Sequence, residues 1–145
     1  MGFQFSLATV LRFRESVEKR EELNLQKVLV EIATTRRTIE KLTAHIEALQ
    51  KARNEAMQKS IAALHLQSML NETNTAIARR KALIQSLDAL EQKRRAQMDV
   101  YQLAHRNRQM LSDMSIRQRD AYDQERARAE QKFLDDIFAA RLQRS

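Results

Sequence analysis

Between residues 25 and 49, apolar side chains return at alternating steps of three and four: Leu25, Val28, Ile32, Thr35, Ile39, Leu42, Ile46 and Leu49. Only Thr35 breaks the run. The positions between carry Lys27, Glu31, Arg36, Arg37, Glu40, Lys41 and Glu47. An α-helix turns once every ~3.6 residues, so a repeat of ~3.5 draws one narrow apolar seam along it. A seam that narrow is no face of a globular core. It is buried by one further helix, through the knobs-into-holes packing of a coiled coil. The fold then depends on where the second helix comes from.

The whole chain favours helix. Gly2 is the single glycine and proline is absent, so nothing after the second residue breaks a helix outright. Charged residues make up 31% and aromatic residues 5%, a balance typical of long helices. Cysteine is absent, which excludes disulfides, thiolate metal sites and cysteine catalysis. The longest uncharged run, residues 60–71, falls well short of the ~20 needed to cross a bilayer. No basic start, apolar stretch and small-residue cleavage site open the chain, so a cytoplasmic protein is the expectation.

Residues 3–22 are amphipathic, but the seam projected backwards lands on Arg14, Glu18 and Glu21. Their apolar members are instead Leu7, Val10, Leu11, Phe13 and Val17, which predicts a stutter with local unwinding. The main seam fades at Arg53, Ala56 and Ser60, and from Ser60 to Ala78 the only charged residue is Glu72. Ser60 is placed to cap a new helix. The run 71–75 (Asn-Glu-Thr-Asn-Thr) competes with helical hydrogen bonding and is the alternative weak point. A second seam is expected through Leu66, Leu70, Thr73, Ile77, Arg80 and Ile84. It continues through Leu87, Glu91, Arg94, Met98 and Tyr101, with Leu83, Leu90 and Leu103 suggesting drift.

Two arms and one turn make an all-α, long antiparallel two-helix coiled-coil hairpin. The expected organisation is a single coiled-coil domain over residues 1–145. Arm one spans about residues 3–58, the turn about 58–66 and arm two about 66–142, with arm two overhanging. A parallel dimer of continuous helices is the alternative. The phenylalanines favour the hairpin: Phe3, Phe5 and Phe13 lie near one end of the chain, and Phe133 and Phe138 near the other. A hairpin brings those ends together and predicts one aromatic cluster there, an apolar patch of the kind that marks protein contacts.

Catalytic chemistry has little to stand on. Convergent polar groups need a pocket that excludes water, and two helices form none. His45, His65 and His105 lie 20 and 40 residues apart, without the spacing that offers two ligands on one helical face. No glycine-rich phosphate loop can be built. No enzyme, cofactor or metal is expected. The net charge of +7 raises nucleic acid as a partner. Arg79-Arg80-Lys81 and Lys93-Arg94-Arg95, however, point in several directions each and are interrupted by Asp88, Glu91 and Asp99. They read as solvated flanks, with Arg80 and Arg94 snorkelling from the seam. No nucleic-acid partner is expected.

The run Phe5-Ser6-Leu7-Ala8-Thr9-Val10-Leu11-Arg12-Phe13-Arg14, followed by Glu18, resembles the opening of the flagellar export protein FliJ family. That opening reads Phe-x-Leu-x-x-Val-Leu-x-x-Arg-x-x-x-Glu. The run Glu130-Gln131-Lys132-Phe133-Leu134-Asp135-Asp136-Ile137, with Arg141, is similar to the family's ending. The resemblance implies an antiparallel coiled coil, similar to part of the rotary ATP synthase gamma subunit. It implies a stalk that inserts into the hexameric flagellar export ATPase and promotes its ring. That stalk would link the ATPase to the membrane-embedded export gate and bind chaperones of export substrates, with membrane association only indirect, through the gate. Carried over by position, the ATPase-binding residues are Phe5, Leu7, Val10, Leu11 and Arg14, with Phe133, Leu134, Ile137 and Arg141. Gate contact falls at Leu49, Ala56, Met69 and Ala76. The equivalent stalk of a virulence-type secretion system and an unrelated structural coiled coil are the alternatives.

Overall fold

A computed structural model describes residues 2–144. They form two helices, α1 (Ala8–Gln58) and α2 (Ala63–Arg144), packed against each other as an antiparallel hairpin. The chain clusters into two units. One comprises Glu22–Val100, the turn unit; the other joins Met1–Glu21 to Tyr101–Ser145, the end unit.

In the turn unit, the α1 seam is occupied as the spacing requires. Leu25, Val28, Ile32, Leu42, Ile46 and Ala56 are buried, and Thr35, Ile39, Leu49 and Arg53 are half-buried. Leu42, Ile46 and Ala76 form a core cluster against which Leu83 packs. The α2 seam differs in half of its members. Leu66, Thr73, Arg80, Leu87 and Arg94 lie on it as expected, but the residues between them are Met69, Ala76, Leu83, Leu90 and Gln97, each one position earlier. Ile77 and Ile84, expected inside, are exposed. The physical reason is that a strict alternation of three and four fits the facing seam even when it selects alanine or glutamine over isoleucine. Register is set by the pair of helices together.

The reversal falls at residues 59–62. Ser60 has φ 54°, the left-handed conformation that ends many helices and is ordinarily supplied by glycine. The Lys59 amide donates to the Ala56 carbonyl at 3.1 Å, closing the last turn of α1. Ser60 therefore terminates α1 and does not cap α2. In the first turn of α2, the amides of His65 and Leu66 donate to the Ala62 carbonyl at 3.0 and 3.2 Å. The polar run 71–75 stays helical. Thr73 and Thr75 turn their hydroxyls back onto the carbonyls of Met69 and Asn71, each at 2.9 Å, so their donors are satisfied along the helix.

In the end unit, the expected stutter is absent. Leu7, Leu11, Arg14 and Glu18 are half-buried and Glu21 is buried, all at seam spacing. Glu18 holds its position because α2 supplies partners: it accepts from Arg108 Nε at 2.9 Å and lies 3.0 Å from His105 Nδ1, while Glu21 accepts from the neighbouring Arg20 at 3.1 Å. Facing them, Tyr101, Ala104, Arg108, Leu111 and Ser115 continue the three–four alternation of α2.

Candidate functional site

No group of His, Asp and Glu among the described residues could hold a metal ion. His45 Nε2 lies 3.7 Å from Glu72, His105 faces Glu18, and His65 is exposed beside the turn. Arg80 donates to Thr43 Oγ1 at 3.4 Å. Arg94 donates to Glu91 at 2.8 Å, and Glu91 also accepts from Arg36 at 2.6 Å. These seam arginines keep their heads on neighbouring side chains. Among the described residues none of these groups converges on an enclosed pocket.

The most distinctive surface lies in the end unit. Phe3 packs its ring on Tyr122 with centroids 5.7 Å apart, so the start of the chain reaches the level of Tyr122. Every residue from 123 to 144 is exposed, about 33 Å of helix at ~1.5 Å per residue. Along it, Leu134, Ile137, Phe138 and Arg141 line a shallow concavity of about 400 Å³, with Asp135 at its edge. Their spacing of three and four puts them on one face. Counted at ~100° per residue, that face lies about a quarter turn round α2 from Tyr122, away from the seam.

The single aromatic cluster expected at the chain ends does not form. Phe3 meets Tyr122, whereas Phe133 and Phe138 are about two-thirds exposed further along α2. The helices are unequal, with 51 residues in α1 and 82 in α2, so in the end unit α2 runs on past the first residues of the chain.

The proposed ATPase-binding residues divide accordingly. Leu134, Ile137 and Arg141 share the exposed face, and Phe133 lies beside it. On α1, Val10 is exposed and Leu11 and Arg14 occupy seam positions; before the helix, Leu7 and Phe5 are half-buried, Leu7 at seam spacing. The Arg14 guanidinium lies 5.9 Å from the ring centroid of exposed Phe13. Phe13 and Phe138 are the exposed aromatic residues that the carried-over set omits. Their signal was in the chain, as apolar residues standing off the seam.

The proposed gate-binding residues lie on the hairpin seam. Ala56 and Ala76 are 6% and 7% exposed, and Leu49 and Met69 are half-buried. Small residues there let the two helices approach, and buried alanines present no surface to a third protein. The apolar surface near the turn is made by other residues. Leu64 is 84% exposed, and Met57, Ala63, Leu66 and Leu70 line a concavity of about 510 Å³ with Arg53 and Gln67.

A family model for the flagellar FliJ protein matches residues 3–145. The chain belongs to the FliJ family. Comparison with curated proteins and with solved structures finds no match. FliJ proteins are non-catalytic stalk components of flagellar export, so the chain is not an enzyme. No helix among the described residues is long and apolar enough to cross a membrane.

Proposed function

We propose that this FliJ-family chain is the cytoplasmic stalk of the flagellar type III export apparatus, and that it acts by binding rather than by chemistry. It inserts into the hexameric export ATPase, promotes the ring, and connects it to the export gate and to chaperones of export substrates. The observation that carries this reading is the exposed run 123–144 with its apolar face of Leu134, Ile137 and Phe138. Apolar side chains left in water gain about 1.5–3 kcal/mol each when a partner buries them. Arg141 at the edge of that face adds a charge for orientation. Phe133, Val10 and Phe13 extend the contact, and Phe5, Leu7, Leu11 and Arg14 support it by holding α1 on α2. Gate contact belongs to the turn unit, with the half-buried Leu49 and Met69 on the seam and the exposed Met57 and Leu64 near the turn. Ala56 and Ala76 serve there by closing the hairpin.

The test is a double substitution, Leu134→Asp with Phe138→Asp. Both residues are exposed, so helicity by circular dichroism should be retained. Stimulation of the export ATPase should require at least roughly tenfold more protein, the equivalent of ~1.4 kcal/mol of lost affinity. Full stimulation by the well-folded double variant would refute engagement through this face.

A further inference from the structure

Among the described residues, seven of the eight buried apolar ones, from Leu25 to Ala76, belong to the turn unit, and the end unit contributes Ala104. Yet the first part of α1 is held on α2 in that unit. Its most polar contact is one cluster. Glu18 stands at a seam position of α1, Arg108 Nε donates to its Oε2 at 2.9 Å, and His105 Nδ1 lies 3.0 Å from the same oxygen. Arg108 is steadied by Ser112 Oγ at 3.4 Å, and the His105 ring stacks on Tyr101 with centroids 6.0 Å apart. The side chains of Glu18 and Arg108 are 21% and 25% exposed, so the pair is only partly withdrawn from water.

We infer that Glu18, Arg108 and His105 form a releasable clasp, and that the chain from Leu7 to Glu21, which includes the first turns of α1, is a strap that opens from α2 when the clasp is broken. Two physical facts lead there. A charged pair in a coiled-coil seam gives specificity at the expense of stability. Removing one partner of a pair this far withdrawn from water leaves the other charge unpaired in the seam, which costs much more than the intact pair contributes, and the part of the attraction that runs through solvent weakens with salt, in contrast to buried leucine and isoleucine. Opening would bare Leu7 and Leu11 on the strap and Leu111 on α2, all half-buried in the closed form. The inference stands on the end unit alone and does not need the ATPase reading.

The chain has no native cysteine, so distances can be measured with paired nitroxide labels. Ser16→Cys with Gln109→Cys labels exposed positions of the end unit, and Ala44→Cys with Lys81→Cys is the control pair in the turn unit. At low salt, the end-unit pair should give one short distance. Glu18→Gln, or ~1 M salt, which cuts the screening length to about 3 Å, should move most of that population to longer distances. The control pair should stay as it was. Exchanging the charges, Glu18→Arg with Arg108→Glu, should return the short distance. An end-unit distance that stays single and short in both Glu18→Gln and high salt would overturn the clasp. Equal broadening of the control pair would overturn it too, because the hairpin would then be loosening throughout.

Discussion

Ile46 is 3% exposed and Phe133 is 65% exposed, so two large apolar side chains on the same hairpin have different roles. Ile46→Ala empties a packed site beside Leu42 and Ala76, and should cost about 2–4 kcal/mol of folding free energy in a urea titration. Phe133→Ala should change stability by no more than about 0.5 kcal/mol, because nothing packs around an exposed ring. Ser60 makes the same point for backbone. Its φ of 54° is one that a β-branched residue resists, so Ser60→Val should destabilise by about 1–2 kcal/mol. Ser60→Gly should be neutral or stabilising by up to about 1 kcal/mol, and thermal midpoints of the two variants should bracket the native one. Thr73 shows how a polar residue enters the seam without a penalty, since its hydroxyl is bonded to the carbonyl one turn back.

Among elements, α2 departs furthest from an ideal coiled-coil strand, with Arg80, Arg94, Gln97 and Arg108 at seam positions. Arg80 makes only a 3.4 Å hydrogen bond to Thr43. Arg80→Leu should therefore raise stability by about 1 kcal/mol, read as a higher urea midpoint with an unchanged slope. A lower midpoint would mean that the snorkelling stem packs better than leucine does. Both helices were legible in the chain because nothing after Gly2 interrupts them, and the α1 seam was legible because seven of its eight members between Leu25 and Leu49 are apolar. The α2 seam was legible at Leu66, Thr73, Arg80, Leu87, Arg94 and Tyr101, and misplaced by one position at the five members between them. Isoleucine at 77 and 84 outweighs alanine at 76 by hydrophobicity, whereas the three–four alternation selects position 76. Glu18 looked like a break in the α1 seam because its partners lie 87 and 90 residues away, and pairing at that distance appears only when the register of both helices is known.

At the scale of the whole molecule, the residues that carry stability differ from those proposed to bind. The buried apolar seam belongs chiefly to the turn unit, and the exposed apolar face to residues 123–144 of the end unit. Amides around Leu42, Ile46 and Ala76 should exchange slowest with deuterium, and those of 123–144 fastest, because a helix without a packed face approaches the marginal stability of a peptide. The aromatic face itself was readable from Phe133 and Phe138, but its separation from Phe3 was not, because it depends on how far α2 outruns α1. The central claim is that this exposed end, and not the seam, engages the export ATPase. The most direct measurement is ATP hydrolysis and ring formation by that ATPase, titrated with the full chain and with a chain ending at Tyr122. Saturable stimulation by the full chain, with none from the shortened chain at an unchanged thermal midpoint, is the predicted result. Equal stimulation by both would contradict it.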